Sequence, residues 1–324
     1  MASDRILLGV SACLLGEKVR YDGNHKLDRY VSDTLGRFFQ WVAVCPEVEC
    51  GLPVPREPMR LVDGAQGPRL VTLCTREDHS ERMQKWMRRK MAELAGLELC
   101  GFVFKSKSPS SGMRDVKIYN EAGQSVKKGS GLFAGAFMQR FPLIPVEDEA
   151  RLCDAGVRGN FIERVFVYAR WCDLMRRKPH LRDLVDFHTK HKLLIMAHSP
   201  SRVKELGALV AAGKVQENQQ LFDRYISRLM SILRLQSTVH KNTTVLQHAM
   251  GYLKKQLRPD EKKELLEIIT RYHGGLIPLI VPIVLIDHYV RTVREPYLCQ
   301  QYYLNPHPVE LKLRNPSDER HIHV

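Results

Sequence analysis

The chain is 324 residues long, 44% hydrophobic, with a formal net charge of +14. That length exceeds one comfortable core and predicts two domains. No apolar run approaches the roughly 20 residues needed to span a bilayer, and the start, Met1-Ala2-Ser3-Asp4-Arg5, lacks the build of a signal peptide. A cytoplasmic location without membrane attachment is therefore expected, and the eight cysteines should stay reduced.

In chain order, residues 6–10 read as a strand that runs into Ser11-Ala12-Cys13-Leu14-Leu15-Gly16. A glycine-punctuated loop follows, then a helical pattern over residues 28–38 and an apolar strand over 39–44. That strand ends in Cys45-Pro46-Glu47-Val48-Glu49-Cys50. A proline-rich segment crosses to a strand near residue 70. Met83, Trp86, Met87, Met91, Leu94 and Leu97 then recur at helical spacing. Residues 101–104 form a third strand, which runs into Lys105-Ser106-Lys107-Ser108-Pro109-Ser110-Ser111-Gly112. A helix from residue 129 to 140 and a short strand over 141–146 complete the first half. The alternation predicts an α/β, layered N-terminal domain with a mostly parallel sheet, residues 1–150.

The acidic run Glu147-Asp148-Glu149 marks a change in composition, and the boundary is expected near 148–160. Helical periodicity dominates afterwards: residues 161–178, 181–196, 201–212, 217–256 with an interruption near 236–242, 259–272 and 278–292. Pro200, Pro259 and Pro278 stand at helix starts, where a missing N–H costs least. Residues 151–324 are thus predicted to be an all-α C-terminal domain ending in an irregular tail from 305. Charge divides unevenly: +3 over residues 1–150 (22 basic, 19 acidic) and +11 over the rest (28 basic, 17 acidic). A basic helical half beside a nearly neutral one predicts a polyanion partner, with nucleic acid ahead of membrane. The bland alternative is a highly charged, solvated helical surface. His188, His191 and His198 have no acidic neighbours at metal-site spacing and read as packing or hydrogen-bonding groups.

If the three strands at 6–10, 39–44 and 101–104 lie parallel, Cys13, Cys45, Cys50 and the serine-rich loop share the C-terminal rim, where open α/β sheets place their sites. The other cysteines, Cys74, Cys100, Cys153, Cys172 and Cys299, read as structural. A Cys-x4-Cys pair plus one distant thiol lacks the paired CxxC knuckles of structural zinc. It suits an iron–sulfur cluster with one iron free of protein, a redox dithiol, or a nucleophilic cysteine; spacing alone does not choose among them.

Three motifs in combination resemble the thiouracil desulfidase family: Ser11-Ala12-Cys13-Leu14-Leu15-Gly16 with Val19-Arg20-Tyr21-Asp22-Gly23, Cys45-Pro46-Glu47 with Gly51-Leu52 and Pro55-Arg56, and Ser108-Pro109-Ser110-x-Gly112. Residues from about 155 onward, notably His191-Lys192-Leu193-Leu194 and Tyr303-Leu304-Asn305-Pro306-His307-Pro308, resemble a YbgA-type helical domain. The pairing is similar to fused proteins that desulfurate 4-thiouridine in tRNA. The resemblance implies a desulfidase with a [4Fe-4S] cluster held by three cysteines, one iron free of protein ligands. One family cysteine falls at Ser111 here, a poor cluster ligand, and Cys50 is expected to replace it beside Cys13 and Cys45. Glu47 is implied as the proton-handling residue and Ser108 as a hydrogen-bond donor to the reacting group. Ser11, Arg20, Asp22, Arg56, Lys105, Lys107 and Ser111 are candidates for lining the pocket or gripping phosphate. Arg176, Arg177, Lys178, Lys190, Lys192, Arg224 and Arg228, with Tyr225 interleaved, are candidates for RNA contact. The alternatives are free thiouracil or thiouridine nucleosides as substrate, or a non-catalytic nucleic-acid-binding protein with a structural metal; no stable protein partner is implied.

Overall fold

The structure, a computed structural model, describes residues 6–213, 219–308 and 311. The chain divides into two compact units, Met1–Val157 and Arg158–Val324. The first is α/β and the second helical.

In the first unit β1 (Ile6–Ser11), β2 (Phe39–Val44), β5 (Gly101–Phe104) and β8 (Val146–Asp148) form a four-stranded sheet in the order β2-β1-β5-β8. Every pairing in it is parallel. β1, β2 and β5 are largely apolar runs rather than alternating ones because parallel sheets are covered on both faces. β1 carries Gly9 opposite Phe102 on β5, and a Cβ at Gly9 would fall 2.1 Å from the Phe102 ring. The absent side chain lets that ring lie flat over β1. Phe102 stacks on Phe104 two residues on, at 4.2 Å, and both pack against Phe133 and Phe137 of α3 (Leu132–Arg140). The long amphipathic helix is α2 (Ser80–Ala95), and Met83, Trp86, Met91 and Leu94 enter the same core.

A second sheet, β4-β3-β6-β7, joins β3 (Met59–Val62), β4 (Arg69–Thr72), β6 (Val116–Tyr119) and β7 (Ser125–Gly129). Only β4 is foreshadowed in the sequence. Leu61, Leu70, Val116 and Ile118 carry this sheet into the common core. The helix expected over 28–38 is a π-turn, Tyr30–Thr34, followed by a 3-10 turn, Leu35–Arg37. The last strand begins where it was expected to end. Glu147 and Asp148, which mark the change in composition, are buried in β8, where Arg114 and Arg151 reach the Glu147 carboxylate at 3.4 and 3.1 Å.

In the helical unit α4 (Ala155–Arg176), α5 (Leu181–His198), α6 (Pro200–Ala212), α7 (Gln219–Leu233), α8 (Val239–Leu253), α9 (Pro259–His273) and α10 (Ile280–Val293) follow in order. The helical pattern over 217–256 is broken after Leu233 and restarts at Val239, where the Thr238 hydroxyl caps α8 by accepting the Lys241 N–H. Trp171, Phe187 and Tyr225 form an aromatic knot joining α4, α5 and α7, with Trp171 stacked on Tyr225 at 5.7 Å. The segment after α10 is pinned to α5: the Gln301 amide accepts from Leu193 N at 3.1 Å and donates to the Thr189 carbonyl at 2.8 Å. Most of the tail expected from 305 lies outside the described residues. Among the described residues no helix is long and apolar enough to cross a membrane.

Candidate functional site

Three chain segments leave the C-terminal ends of β1, β2 and β5, and they enclose a cavity of about 390 Å³. That size lies within the roughly 300–1,000 Å³ of small-molecule sites. After β1, a 3-10 turn, Ala12–Leu15, carries Cys13, and the Cys13 carbonyl accepts the Lys26 N–H at 2.9 Å. After β2, Cys45 caps a one-turn helix, α1 (Pro46–Glu49); the Glu49 carboxylate accepts the Cys45 N–H at 2.9 Å. After β5, the Lys105 N–H donates to Ser11 Oγ at 2.9 Å and so binds the first rim loop to the third.

The Ser108 loop is fixed from within and from below. Ser108 Oγ accepts the backbone N–H groups of Ser110 and Ser111 at 3.3 and 3.1 Å. The start of α3 then grips the loop from beneath, with Gly131 N on the Gly112 carbonyl at 2.7 Å and Ala134 N on the Ser110 carbonyl at 3.0 Å. A Cβ at Gly131 would fall 2.5 Å from the Ser110 carbonyl. Gly131→Ala is therefore expected to cost about 1–3 kcal/mol by overpacking and to displace Ser110 and Ser111. A lower denaturant midpoint together with reduced turnover would check this.

Glu47 is the polar centre of the cavity. It is only 9% exposed. Ser110 Oγ donates to its Oε1 at 2.6 Å, the Cys45 thiol to its Oε2 at 3.6 Å, and the Arg56 guanidinium stands 3.9 Å away. Ser108 Oγ lies 3.0 Å from Ser110 Oγ, so a serine pair connects the predicted hydrogen-bond donor to the predicted proton carrier. Ser110 is fully buried and is the functional residue that the sequence did not single out.

Burial dominates the thiols. It pushes Cys13 up to about 11 against the pull of Lys105, and Cys45 up to about 12, with the Glu47 carboxylate adding to the rise. Both are held as neutral thiols at neutral pH unless a metal takes the proton's place.

Ser11, Arg20, Arg56, Lys105, Lys107 and Ser111 line this cavity with Cys13, Cys45, Glu47 and Ser108. Asp22 does not line it: its carboxylate faces Arg20 at 3.4 Å and accepts the Asn24 N–H. Nor does Cys50. The residue closes α1, its Sγ turns back onto the Glu47 carbonyl at 3.1 Å, and its side chain packs against the apolar core. The third expected thiol is thus not among the side chains that line the cavity. A single-ion site of three or more His, Cys, Asp or Glu groups is not formed among the described residues. A cluster asks for less, because its ligands bond to different iron atoms and need only share one wall. Three thiolates including Cys50 do not fit that requirement here. Two thiolates, Cys13 and Cys45, with the Ser111 hydroxyl do.

In the helical unit Arg176, Arg177, Lys178, Arg224 and Arg228 are exposed, whereas Lys190 and Lys192 are half-buried. Arg176, Lys190 and Arg228 pair with Asp173, Asp186 and Glu205. Tyr225 is fully buried in the aromatic knot, so it cannot stack on a base.

A parallel α/β sheet whose rim presents two thiols, a carboxylate and a serine loop to one cavity defines a thiol-bearing small-molecule site. Residues 8–149 match the family model described as 2-thiouracil desulfurase, and residues 192–308 match a protein of unknown function family, DUF1722. The chain thus belongs to the 2-thiouracil desulfurase family through its first domain, with a YbgA-like region behind it. It is 29% identical over 133 residues to the uncharacterized protein YbgA of Escherichia coli (strain K12), spanning 41% of this chain and 79% of that one. It is 26% identical over 135 residues to the uncharacterized protein YbbK of Bacillus subtilis (strain 168), spanning 40% and 88%. Among solved structures it is similar to a [4Fe-4S]-dependent thiouracil desulfidase, TudS, at 33% identity over 46% of this chain and 93% of that one, with a TM-score of 0.37.

Proposed function

We propose that the first domain is an iron–sulfur-dependent desulfidase that removes sulfur from a thiolated uracil, and that its substrate is 4-thiouridine in tRNA. The observation that carries this reading is the meeting of Cys13, Cys45, Glu47 and Ser108 on one cavity inside a 2-thiouracil desulfurase domain. When bound to Cys13 and Cys45, a cluster with an uncapped iron would supply a Lewis acid for the thiocarbonyl sulfur.

The rest falls to the chain itself. Hydrolysis breaks the carbon–sulfur bond, forms a carbon–oxygen bond from water and releases hydrosulfide and a proton, with no net electron transfer. Glu47 is placed to take the proton of the attacking water and to return one to the ring nitrogen. Arg56 and Ser110 hold its carboxylate in one orientation. Ser108, whose lone pairs already serve two backbone N–H groups, has its own O–H to offer to the base or to Ser110.

The helical domain's exposed Arg176, Arg177, Lys178, Arg224 and Arg228 supply the phosphate contacts that an RNA substrate requires. The test is to incubate cluster-loaded protein with thiolated tRNA and, separately, with free thiouracil, and to follow hydrosulfide. Faster release from tRNA that weakens steeply with salt supports the RNA substrate. Release from free thiouracil alone removes the tRNA part of the proposal, and release from neither removes the activity.

A further inference from the structure

We propose that in this chain the third protein ligand of the cluster is the Ser111 oxygen and that Cys50 is not a ligand. This rests on the desulfidase reading above and concerns how the same cavity holds its metal.

Ser111 shares the cavity wall with Cys13 and Cys45, and Cys50 does not. Ser111 is 4% exposed, and its Oγ has only the Ser110 hydroxyl, at 3.4 Å, as a hydrogen-bond partner among the described residues. A buried hydroxyl without a strong acceptor is costly to leave so, and a metal would satisfy it. The position is also rigid, because Ser108 Oγ takes the Ser111 N–H and α3 holds the loop from beneath.

Cys50 is fixed in the opposite sense. Cys50 N donates to the Pro46 carbonyl at 3.0 Å, Leu52 N to the Glu47 carbonyl at 3.0 Å, and Gly51 between them takes φ +92°. Turning its thiol into the cavity would mean giving up the Glu47 carbonyl and its apolar packing.

Coordination forms an iron–oxygen bond and releases the hydroxyl proton to solvent, and no electrons move. Oxygen is a harder donor than sulfur, so a serine-held corner binds iron less firmly than a cysteine-held one. The chain is then built with a labile third corner.

The full-length protein and its Ser111→Ala, Ser111→Cys and Cys50→Ala variants are reconstituted anaerobically with iron and sulfide. Iron per chain, visible absorbance, Mössbauer spectra and the rate of iron loss to a chelator are then measured. Cys50→Ala should match the wild type in all four. Ser111→Ala should lose iron faster by about 10-fold or more, the lower bound for disturbing even the groups that support a metal ligand. Ser111→Cys should lose it more slowly and change the Mössbauer signature of one iron site. Circular dichroism confirms folding, and Ser111→Cys keeps the test decisive if the alanine variant fails to fold. Loss of the cluster in Cys50→Ala with retention in Ser111→Ala overturns the proposal. So does iron uptake by Ser111→Cys when the wild type takes up none. Failure of every variant and of the wild type to take up iron defeats the desulfidase reading itself.

Discussion

Replacing Glu47 by glutamine is expected to lower hydrosulfide release by roughly 10²–10⁴-fold, the range that a positioned proton carrier contributes, while iron content stays at the wild-type level. Glutamine keeps the shape and can still accept the Ser110 hydroxyl through its amide oxygen, so the loop after β5 should hold its place. What disappears is the basic oxygen and the counter-charge of Arg56, whose side chain is nearly buried. A stability loss of about 1–3 kcal/mol from that unpaired group should accompany the change. The informative comparison is Ser110→Ala, which removes a buried support rather than the proton carrier. Turnover should fall less there, and substrate affinity should change little. Single-turnover release of hydrosulfide, with iron assayed in the same sample, separates the two. Near-wild-type turnover in Glu47→Gln would remove Glu47 from the chemistry.

The rim was legible because its signals are local. Residues 6–11, 39–44 and 101–104 are short apolar runs that end in polar loops, and the parallel sheet places those ends side by side. The place of Cys13, Cys45 and the serine-rich loop on one rim followed from that, whereas Glu47 and Ser108 were singled out by the family resemblance. Cys50 did not follow, and the reason is a single helical turn. Cys50 closes the turn Pro46–Glu49, and its Sγ lies on the Glu47 carbonyl instead of lining the cavity with Cys45. Proximity in sequence was a poor guide to direction.

Ser110 was hidden for a different reason. In a run of serines nothing distinguishes the one that meets Glu47 across 63 residues from its neighbour on the cavity wall. Long-range contacts also built the second sheet: β7, Ser-Val-Lys-Lys-Gly, has an exposed pattern and exists because β6 pairs with it. Charge was an incomplete guide twice. The acidic run marks the change in composition, but Glu147 and Asp148 also belong to the sheet, with Arg114 and Arg151 on the Glu147 carboxylate. Tyr225 sits between two exposed arginines in sequence, yet helical geometry turns it into the core.

Acidification should unfold the helical domain before the α/β domain, and the histidines decide this. In α5, burial and then Lys192 depress His188 to about 4, and burial and then Arg170 depress His191 to about 3, both from an ordinary 6.5. His191 Nδ1 donates to the Phe187 carbonyl at 2.7 Å, and among the described residues its Nε2 has no partner, as expected of a neutral ring. As pH falls below 6.5 the unfolded chain takes up protons that the folded one refuses, so stability falls until pH reaches the folded values. Each tenfold difference in proton affinity between the folded and unfolded chain is worth about 1.4 kcal/mol, so the loss between pH 6.5 and 4 is on the order of several kcal/mol. His198 acts oppositely. Burial lowers it, but the Glu163 carboxylate at 2.5 Å and the Leu235 carbonyl outweigh that and raise it, so its contribution is complete below 6.5 and fades as pH rises through its folded value. In the α/β domain burial raises Asp28, Glu147 and Asp148, so acid favours their folded state as they protonate. Urea unfolding of the full chain at pH 7 and pH 4.5, followed at residues of each domain by amide exchange, should show the midpoint of the helical domain fall and that of the α/β domain hold. His188→Gln should recover part of the loss, because glutamine does not titrate. Equal midpoints at the two pH values in the helical domain would show that these buried imidazoles do not control its acid response.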